Sequence, residues 1–405
     1  MSLAALALGT GAGVALHGSS APVVLHVATV LTPIGALWVR ALNVLVFPLI
    51  LSLSVLAVLD TPAIGKLGAR SIAIFAAMLA TGGLLACLVA PTIVSWYRAD
   101  AATMTLLRES TAIPSAALAI DASGGMTAWL QRYVPRSLDS VVRGAWVLVL
   151  LMSAMMAALV VRRLARSKLA AVHRSVRWIA DVTARVVRWV VLVSPVGILA
   201  LSFGLGLRAG GRAAGFLLAV VLIVPGVLLL FIAALYPVTA LLARIPISRF
   251  ARAVAPAQLV AASTQSSLAS LPALVAGARD HLGLPVSATG FVLPLAVSVF
   301  KFNRTVSGPT QLILLTHAFG VELTVLPLVL FVCASFLQSF FTPGVPGASG
   351  PYFTLPLYVA VGAPIEGVVL LATIEPILDV FKTVTNVTAD MSATALIAQP
   401  ARPPS

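Results

Sequence analysis

Charge is the scarcest commodity in this chain: 9% of its 405 residues are charged and 60% are hydrophobic, against about a quarter charged in an ordinary soluble domain. So few charges cannot cover a water-exposed surface, which excludes a soluble globular protein. A large all-helical soluble core is excluded too, because most apolar segments are apolar all round and not along one stripe. Cysteine is nearly absent. Cys87 and Cys333 fall in apolar segments without metal-ligand spacing, which removes disulfide scaffolding and a zinc site. The chain has no Walker phosphate loop, no His-Glu-x-x-His pair and no Gly-x-Ser-x-Gly elbow. Nothing therefore marks an ATP-driven pump or a hydrolase, and neither an enzymatic activity nor a cofactor is expected.

Long apolar runs are abundant. Residues 144–161, 216–243 and 323–340 each approach or exceed the roughly 18–20 residues that span a hydrocarbon core. Hydropathy and helix breakers place first-half helices at about 2–18, 25–60, 66–97, 140–162, 172–206 and 213–243. The polar, Gly- and Pro-containing stretch 98–139 is expected to be an extracellular connector. The N-terminal apolar stretch has no basic leader region and precedes further membrane segments, so it is expected to be the first crossing and not a cleaved signal.

The formal net charge is +14, but the basic residues sit in short connectors and not along one solvated face, which argues against nucleic acid. Lys66 with Arg70, then Arg162, Arg163, Arg166, Lys168, Arg174 and Arg177, then Arg244, Arg249, Arg252 and Arg279 form three groups. Each is expected to face the cytoplasm by the positive-inside rule. Connectors of the opposite parity are diluted by Asp100, Glu109, Asp121 and Asp139 or carry only Arg208 and Arg212. The expectation is a multi-pass protein of the cell membrane, in contact with lipid, with both termini cytoplasmic.

The second half differs, because two apolar segments are interrupted at their middle. The first, 252–286, breaks over 263–272, and the second, 323–362, breaks over the Gly- and Pro-rich stretch 342–351. Unpaired backbone at membrane depth is tolerated only where it is buried in protein or lines a cavity. Paired interrupted segments point to a transporter's binding site. The order hairpin, helix, hairpin, helix predicts inverted repeats over 252–319 and 323–398.

The chemistry concentrates in the last apolar segment. Glu375, Asp379, Lys382, Thr383, Asn386 and Asp390 fall within a sector of about 100° on a helix. Each ionisable group in a membrane helix costs about 2.5–3.5 kcal/mol, so such a stripe must face a cavity, a ligand or other charges. The plain reading, mutual neutralisation of Asp379 and Lys382 three residues apart, leaves Asn386 and Asp390 unexplained. The functional reading makes Asp379 and Lys382 the two ends of a solute cradle, with Asp390 and Asn386 as hard oxygen ligands to a coupling cation. Ser266, Ser267 and Ser270 sit at the first break, where freed amides can hold a carboxylate; close helix packing is the alternative use of such small residues. For Gly344, Gly347 and Gly350 with Pro343, Pro346 and Pro351, a plain turn is the alternative, and the apolar flanks on both sides favour a flexible re-entrant tip that acts as a gate. Lys301 and Arg304 lie inside an otherwise apolar helix, too far from its ends to snorkel, and read as buried functional cations.

These residues carry a resemblance to the dicarboxylate/amino acid:cation symporters, the family that includes the glutamate transporters. The stretch from Pro33 to Arg40 with Val46 to Ile50 resembles the family's second helix. Ser266-Ser267 to Leu271-Pro272 resembles its first hairpin tip, and Gly344 to Gly347 its second. The most specific match is Asn386-Val-Thr-Ala-Asp390 followed by Thr394-Ala395. The resemblance implies an all-α integral membrane fold of eight transmembrane helices plus two re-entrant helical hairpins, with inverted repeats in the C-terminal half, assembled as a homotrimer. It implies a scaffold from 1–65 and 140–210 and a mobile transport domain from 66–97, 213–243 and 252–398. By residue, Asp379 matches the receiver of the substrate's amino group, Asn386 the holder of its main carboxylate, and Asp390 a sodium ligand. Ser266, Ser267, Val345, Gly347 and Thr383 complete the implied solute site, and Ser339 and Thr342 join Asn386 and Asp390 around the cation. Lys382 stands where members that carry acidic substrates have arginine; it keeps the charge and loses the bidentate fork.

The seventh helix departs from the family. Sodium-coupled members carry Asn-Met-Asp-Gly-Thr there, and this chain has Lys301-Phe302-Asn303-Arg304-Thr305. A missing carboxylate removes a hard-cation ligand, and added positive charge repels sodium. The expectation is a cation-coupled symporter for an acidic amino acid or C4-dicarboxylate, its coupling ion sodium or proton, with at least one sodium site replaced by a fixed charge. An anion-conducting channel or a non-transporting sensor of the same fold is the alternative.

Overall fold

The computed structural model describes residues 2–19, 66–97, 169–286, 288–340 and 360–398, with scattered positions between 21 and 56, at 153 and 157, and between 342 and 358. The expected connector 98–139, most of the helices expected at 25–60 and 140–162, and the tip of the second hairpin with Val345 and Gly347 lie outside the described residues. Among the described residues the long elements are all helices: α1 (Ser2–Ala15), α2 (Lys66–Val94), α3 (Leu169–Leu192), α4 (Ser194–Ala243), α5 (Ile247–Thr264), α6 (Ser267–Asp280), α7 (Leu293–Val299), α8 (Phe302–Ala318), α9 (Val325–Ser339) and α10 (Ile365–Ala398). A π-helical turn, Ala288–Val292, leads into α7.

Two described stretches, Lys66–Val94 and Gly215–Ala243, are long and apolar enough to cross a membrane. Leu84, Leu88, Leu222 and Leu229 stand exposed on them, as apolar side chains facing hydrocarbon do. The helix expected over 172–206 is instead two. The chain turns at Val193 (φ −88°, ψ 6°) and Pro195 opens the next helix, because its ring and missing N–H admit it to a first turn and not to an interior. A second break falls inside α4 at Gly210 (φ 59°, ψ −146°), a region glycine enters without strain. It begins the segment expected at 213–243. The N-terminal part of α4 packs along α1 at backbone contact: a Cβ on Gly13 would meet the Phe203 carbonyl oxygen at 2.4 Å, and one on Gly206 the Thr10 carbonyl oxygen at 2.8 Å. Small residues spaced four apart allow this approach between membrane helices.

The first interrupted segment folds as expected into two helices, but its break is narrower than 263–272. It consists of Gln265 in the left-handed region (φ 53°) and Ser266. Ser267 through Pro272 are already helical, with the Ser266 hydroxyl accepting the Ala269 N–H at 3.3 Å as an N-cap. The two arms touch backbone to backbone, since a Cβ on Gly277 would lie 1.9 Å from the Ala253 carbonyl oxygen.

Buried side chains of α2, the C-terminal part of α4 and the helices from α5 to α10 form one continuous apolar core. Ala5, Trp38 and Ile198 form a separate small cluster where α1 meets the start of α4. The polar stripe of α10 therefore sits at the centre of the larger body and not at its edge.

Candidate functional site

The site begins with an interruption that the sequence reading missed. Lys301 and Arg304 were expected inside one continuous helix, yet α7 stops at Val299, and Phe300 (φ −118°, ψ 93°) and Lys301 (φ −105°, ψ 78°) are extended before α8 starts at Phe302. No Gly or Pro marks the spot. A continuous helix would hand the Val297 carbonyl the backbone N–H of Lys301. Here the Lys301 ammonium donates to that carbonyl in its place, so the residue that leaves the helix also satisfies the acceptor its departure frees. Phe300 stacks on Phe75 of α2 with ring centroids 4.7 Å apart, which anchors the extended step from outside.

Opposite this step lies α10, every described ionisable residue of whose stripe is buried: Glu375, Asp379, Lys382 and Asp390. With Lys301 and Arg304, the described residues bury three cations and three carboxylates in one region. Lys382 is held by Glu375, its ammonium 2.7 and 2.8 Å from the two carboxylate oxygens. The sequence reading considered Asp379 as the neutralising partner, because a three-residue spacing puts side chains on one face. Glu375, seven residues away on that face, was left without a role; its two-turn spacing is the signal that could have found it.

Arg304 of α8 donates to Gln338 of α9 at 3.2 Å and feels the charges of Glu375 and Asp379. Lys301 instead turns its ammonium onto the Val297 carbonyl and feels the charge of Asp390 without touching it, since neither Asp390 carboxylate oxygen has a hydrogen-bond partner. Asn386 accepts the Asn303 backbone N–H at 3.0 Å, which ties α10 to the first turn of α8. Thr383 donates to the Asp379 carbonyl at 2.7 Å. Ser339 and Thr342 donate to the carbonyls of Ser335 and Gln338, both at 2.8 Å, and both are buried at the C-terminal end of α9.

The first hairpin reaches the same region through a residue the sequence reading did not assign. Gln265 donates to the Pro376 carbonyl of α10 at 2.7 Å, next to Glu375. Ser267 is buried and Ser266 partly so at the same tip. Gln258 adds a second tie between hairpin and stripe helix, donating to Thr388 at 2.8 Å and accepting from Tyr236 at 3.1 Å. Glutamines at hairpin positions give no periodic signal, and only the packing reveals what they reach.

A helical body with six buried charges around an unwound step and a docked hairpin tip defines an ion- or solute-handling membrane protein, because such charges are tolerated at depth only in functional, mutually compensated groups. Residues 1–399 match the sodium:dicarboxylate symporter family, and the chain belongs to it. It is accordingly a multi-pass membrane protein of a transporter family. It is similar to the proton/glutamate-aspartate symporter of Escherichia coli, 25% identical over 406 residues that cover 98% of this chain and 91% of that one. It is also 25% identical over 403 residues to the proton/sodium-glutamate symport protein of Bacillus caldotenax, covering 97% and 92%. Against the C4-dicarboxylate transport protein 1 of Pseudomonas aeruginosa the identity is 23% over 228 residues, 56% of this chain and 51% of that one.

Proposed function

We propose that the protein is a secondary active symporter that carries an acidic amino acid or a C4-dicarboxylate together with a cation by alternating access. The single observation that carries this reading is the meeting of the α10 stripe, the extended step at Phe300 and Lys301 and the Gln265 tip in one buried region. Broken helices bring backbone dipoles and carbonyls to a ligand at membrane depth, and cationic side chains beside them suit an anionic solute.

In this reading Asp379 receives the amino group of an amino acid, Asn386 its main carboxylate and Lys382 its distal one, with Thr383, Ser266, Ser267, Val345 and Gly347 closing the site. Ser339, Thr342, Asn386 and Asp390 are the oxygen ligands available to a cation, sodium or proton being the two candidates. Eight transmembrane helices and two re-entrant hairpins, both termini cytoplasmic, assemble as a homotrimer. Residues 1–65 and 140–210 form the scaffold, and 66–97, 213–243 and 252–398 form the moving body. The separation of the small α1 cluster from the large core supports that division, since elements that move together share a core.

Counterflow in vesicles tests the reading. Purified protein in liposomes loaded with glutamate, aspartate or succinate should accumulate the labelled solute transiently against its gradient. Conductance without saturable exchange would make it a channel, and absence of binding to any amino acid or dicarboxylate a sensor. Imposed sodium and pH gradients separate the two coupling ions.

A further inference from the structure

The cation that the symporter reading gives to a solute's distal carboxylate is already held by the protein itself. Both oxygens of Glu375 accept from the Lys382 ammonium, at 2.7 and 2.8 Å, which engages two of its three donors. The two residues stand seven apart on one face of α10, two helical turns. The Lys382 side chain is 0% exposed and that of Glu375 9%, so the ammonium is shut off from water while the carboxylate keeps a small window on it. Other groups face this carboxylate from three directions. Arg304 of α8 and Asp379 of α10 act on it through their charges, and the buried Tyr358 phenol feels its charge in turn. The first hairpin brings only the uncharged Gln265, bound to the neighbouring Pro376 carbonyl.

We propose that Glu375 is an internal competitor for Lys382: an acidic solute takes the ammonium with its distal carboxylate only as Glu375 takes up a proton from water, and that proton travels with the solute. The inference rests on the symporter reading and deepens it by naming a coupling ion and the group that carries it. Two carboxylates on one buried ammonium repel each other and leave one charge unbalanced, so the pair cannot stay fully ionised. The carboxylate that loses its counter-charge in a low-dielectric interior is protonated in preference to staying charged. The charge count points the same way. Among the described residues the buried formal charges, Lys301, Arg304 and Lys382 against Glu375, Asp379 and Asp390, cancel. An acidic amino acid adds one net negative charge, and one proton on Glu375 restores the balance.

On release the steps reverse. The solute leaves, Glu375 gives its proton to water and Lys382 returns to the carboxylate. A neutral amino acid has no distal carboxylate and adds no net charge, so it leaves the pair closed and brings no proton to this position.

The test uses the full-length protein in detergent, with L-aspartate, L-glutamate and succinate as probes. Binding is titrated through intrinsic fluorescence and thermal midpoint for the wild type and Glu375→Gln, between about pH 6.5 and 8.5 at fixed sodium and ionic strength. Wild-type affinity should fall about tenfold for each pH unit, the dependence left by one proton taken up per solute bound. Glu375→Gln opens the ammonium and has no carboxylate to protonate. It should bind the acidic probes more tightly than the wild type at the upper end of that range and lose the pH dependence. The same slope in both proteins would overturn the proposal, and so would a flat wild type. Should Glu375→Gln fail to fold, proton uptake by the wild type decides, read with a pH indicator in weakly buffered solution. About one proton per aspartate bound and none per asparagine supports the exchange; equal uptake with both, or none with either, overturns it. A slope that Glu375→Gln retains would leave the symporter reading intact and remove this inference alone, whereas no response of either protein to any of the three probes would remove both.

Discussion

Replacing Lys382 by methionine removes the ammonium that two carboxylate oxygens of Glu375 contact at 2.7 and 2.8 Å. The side chains are 0% and 9% exposed, so solvent cannot take over the lost interaction. Breaking a buried pair by deleting one partner costs about 3–5 kcal/mol, because the remaining charge stays desolvated. For a folded unit of about 150–250 residues, each kcal/mol moves the midpoint by about 2–4 °C. Lys382→Met should therefore lower the thermal midpoint in detergent by about 6–20 °C. The pair can also be removed whole. Glu375→Gln alone takes one partner from the ammonium and should be destabilising, whereas Glu375→Gln/Lys382→Met removes both charges of the pair together and should recover most of the loss. The assay is fluorescence-detected unfolding of all four proteins, closed as a cycle. If the double variant loses the sum of the single losses, the pair is not an energetic unit and Glu375 has been given the wrong partner.

The remaining predictions concern the solute and the hairpin. Lys382→Ala should weaken uptake of acidic solutes more than of neutral ones, measured by competition against a labelled substrate; equal losses would remove Lys382 from solute recognition. Asp379→Asn should reduce amino-acid uptake by about 10- to 150-fold, the equivalent of a charged hydrogen bond of about 1.5–3 kcal/mol, while sparing dicarboxylates. Gly277→Ala should lower stability by at least about 1–3 kcal/mol, because its methyl carbon would fall 1.9 Å from the Ala253 carbonyl oxygen and the hairpin arms would have to separate; an unchanged midpoint would contradict the backbone contact. Gln265→Ala removes the hydrogen bond to Pro376 and should make the tip more reactive in cysteine-accessibility measurements, with a stability loss of about 0.5–1.5 kcal/mol.

The membrane class, the interruption at Gln265 and Ser266 and the burial of the α10 stripe were legible in the sequence, because each follows from a local rule. Apolar length excludes water, small and breaking residues cannot continue a helix, and charges spaced by helical periodicity share a face whatever surrounds them. The basic residues Lys301 and Arg304 flanking Asn303 were visible too, and it is the resemblance to the symporter family that marked them as a departure. The partners of those charges were not visible. Spacing pointed from Lys382 to Asp379, and packing paired it with Glu375, because at low dielectric the lowest-energy pairing depends on which carboxylate the neighbouring helices leave reachable. Spacing grouped Lys301 with Arg304, whereas the extended backbone at Phe300 and Lys301 turns the Lys301 ammonium back onto the Val297 carbonyl while Arg304 reaches Gln338. That step carries no Gly or Pro to announce it. It is held by the Lys301 side chain, which reaches the Val297 carbonyl four residues back, and by a stacked phenylalanine from α2, a contact between residues far apart in the chain that exists only once the body has folded.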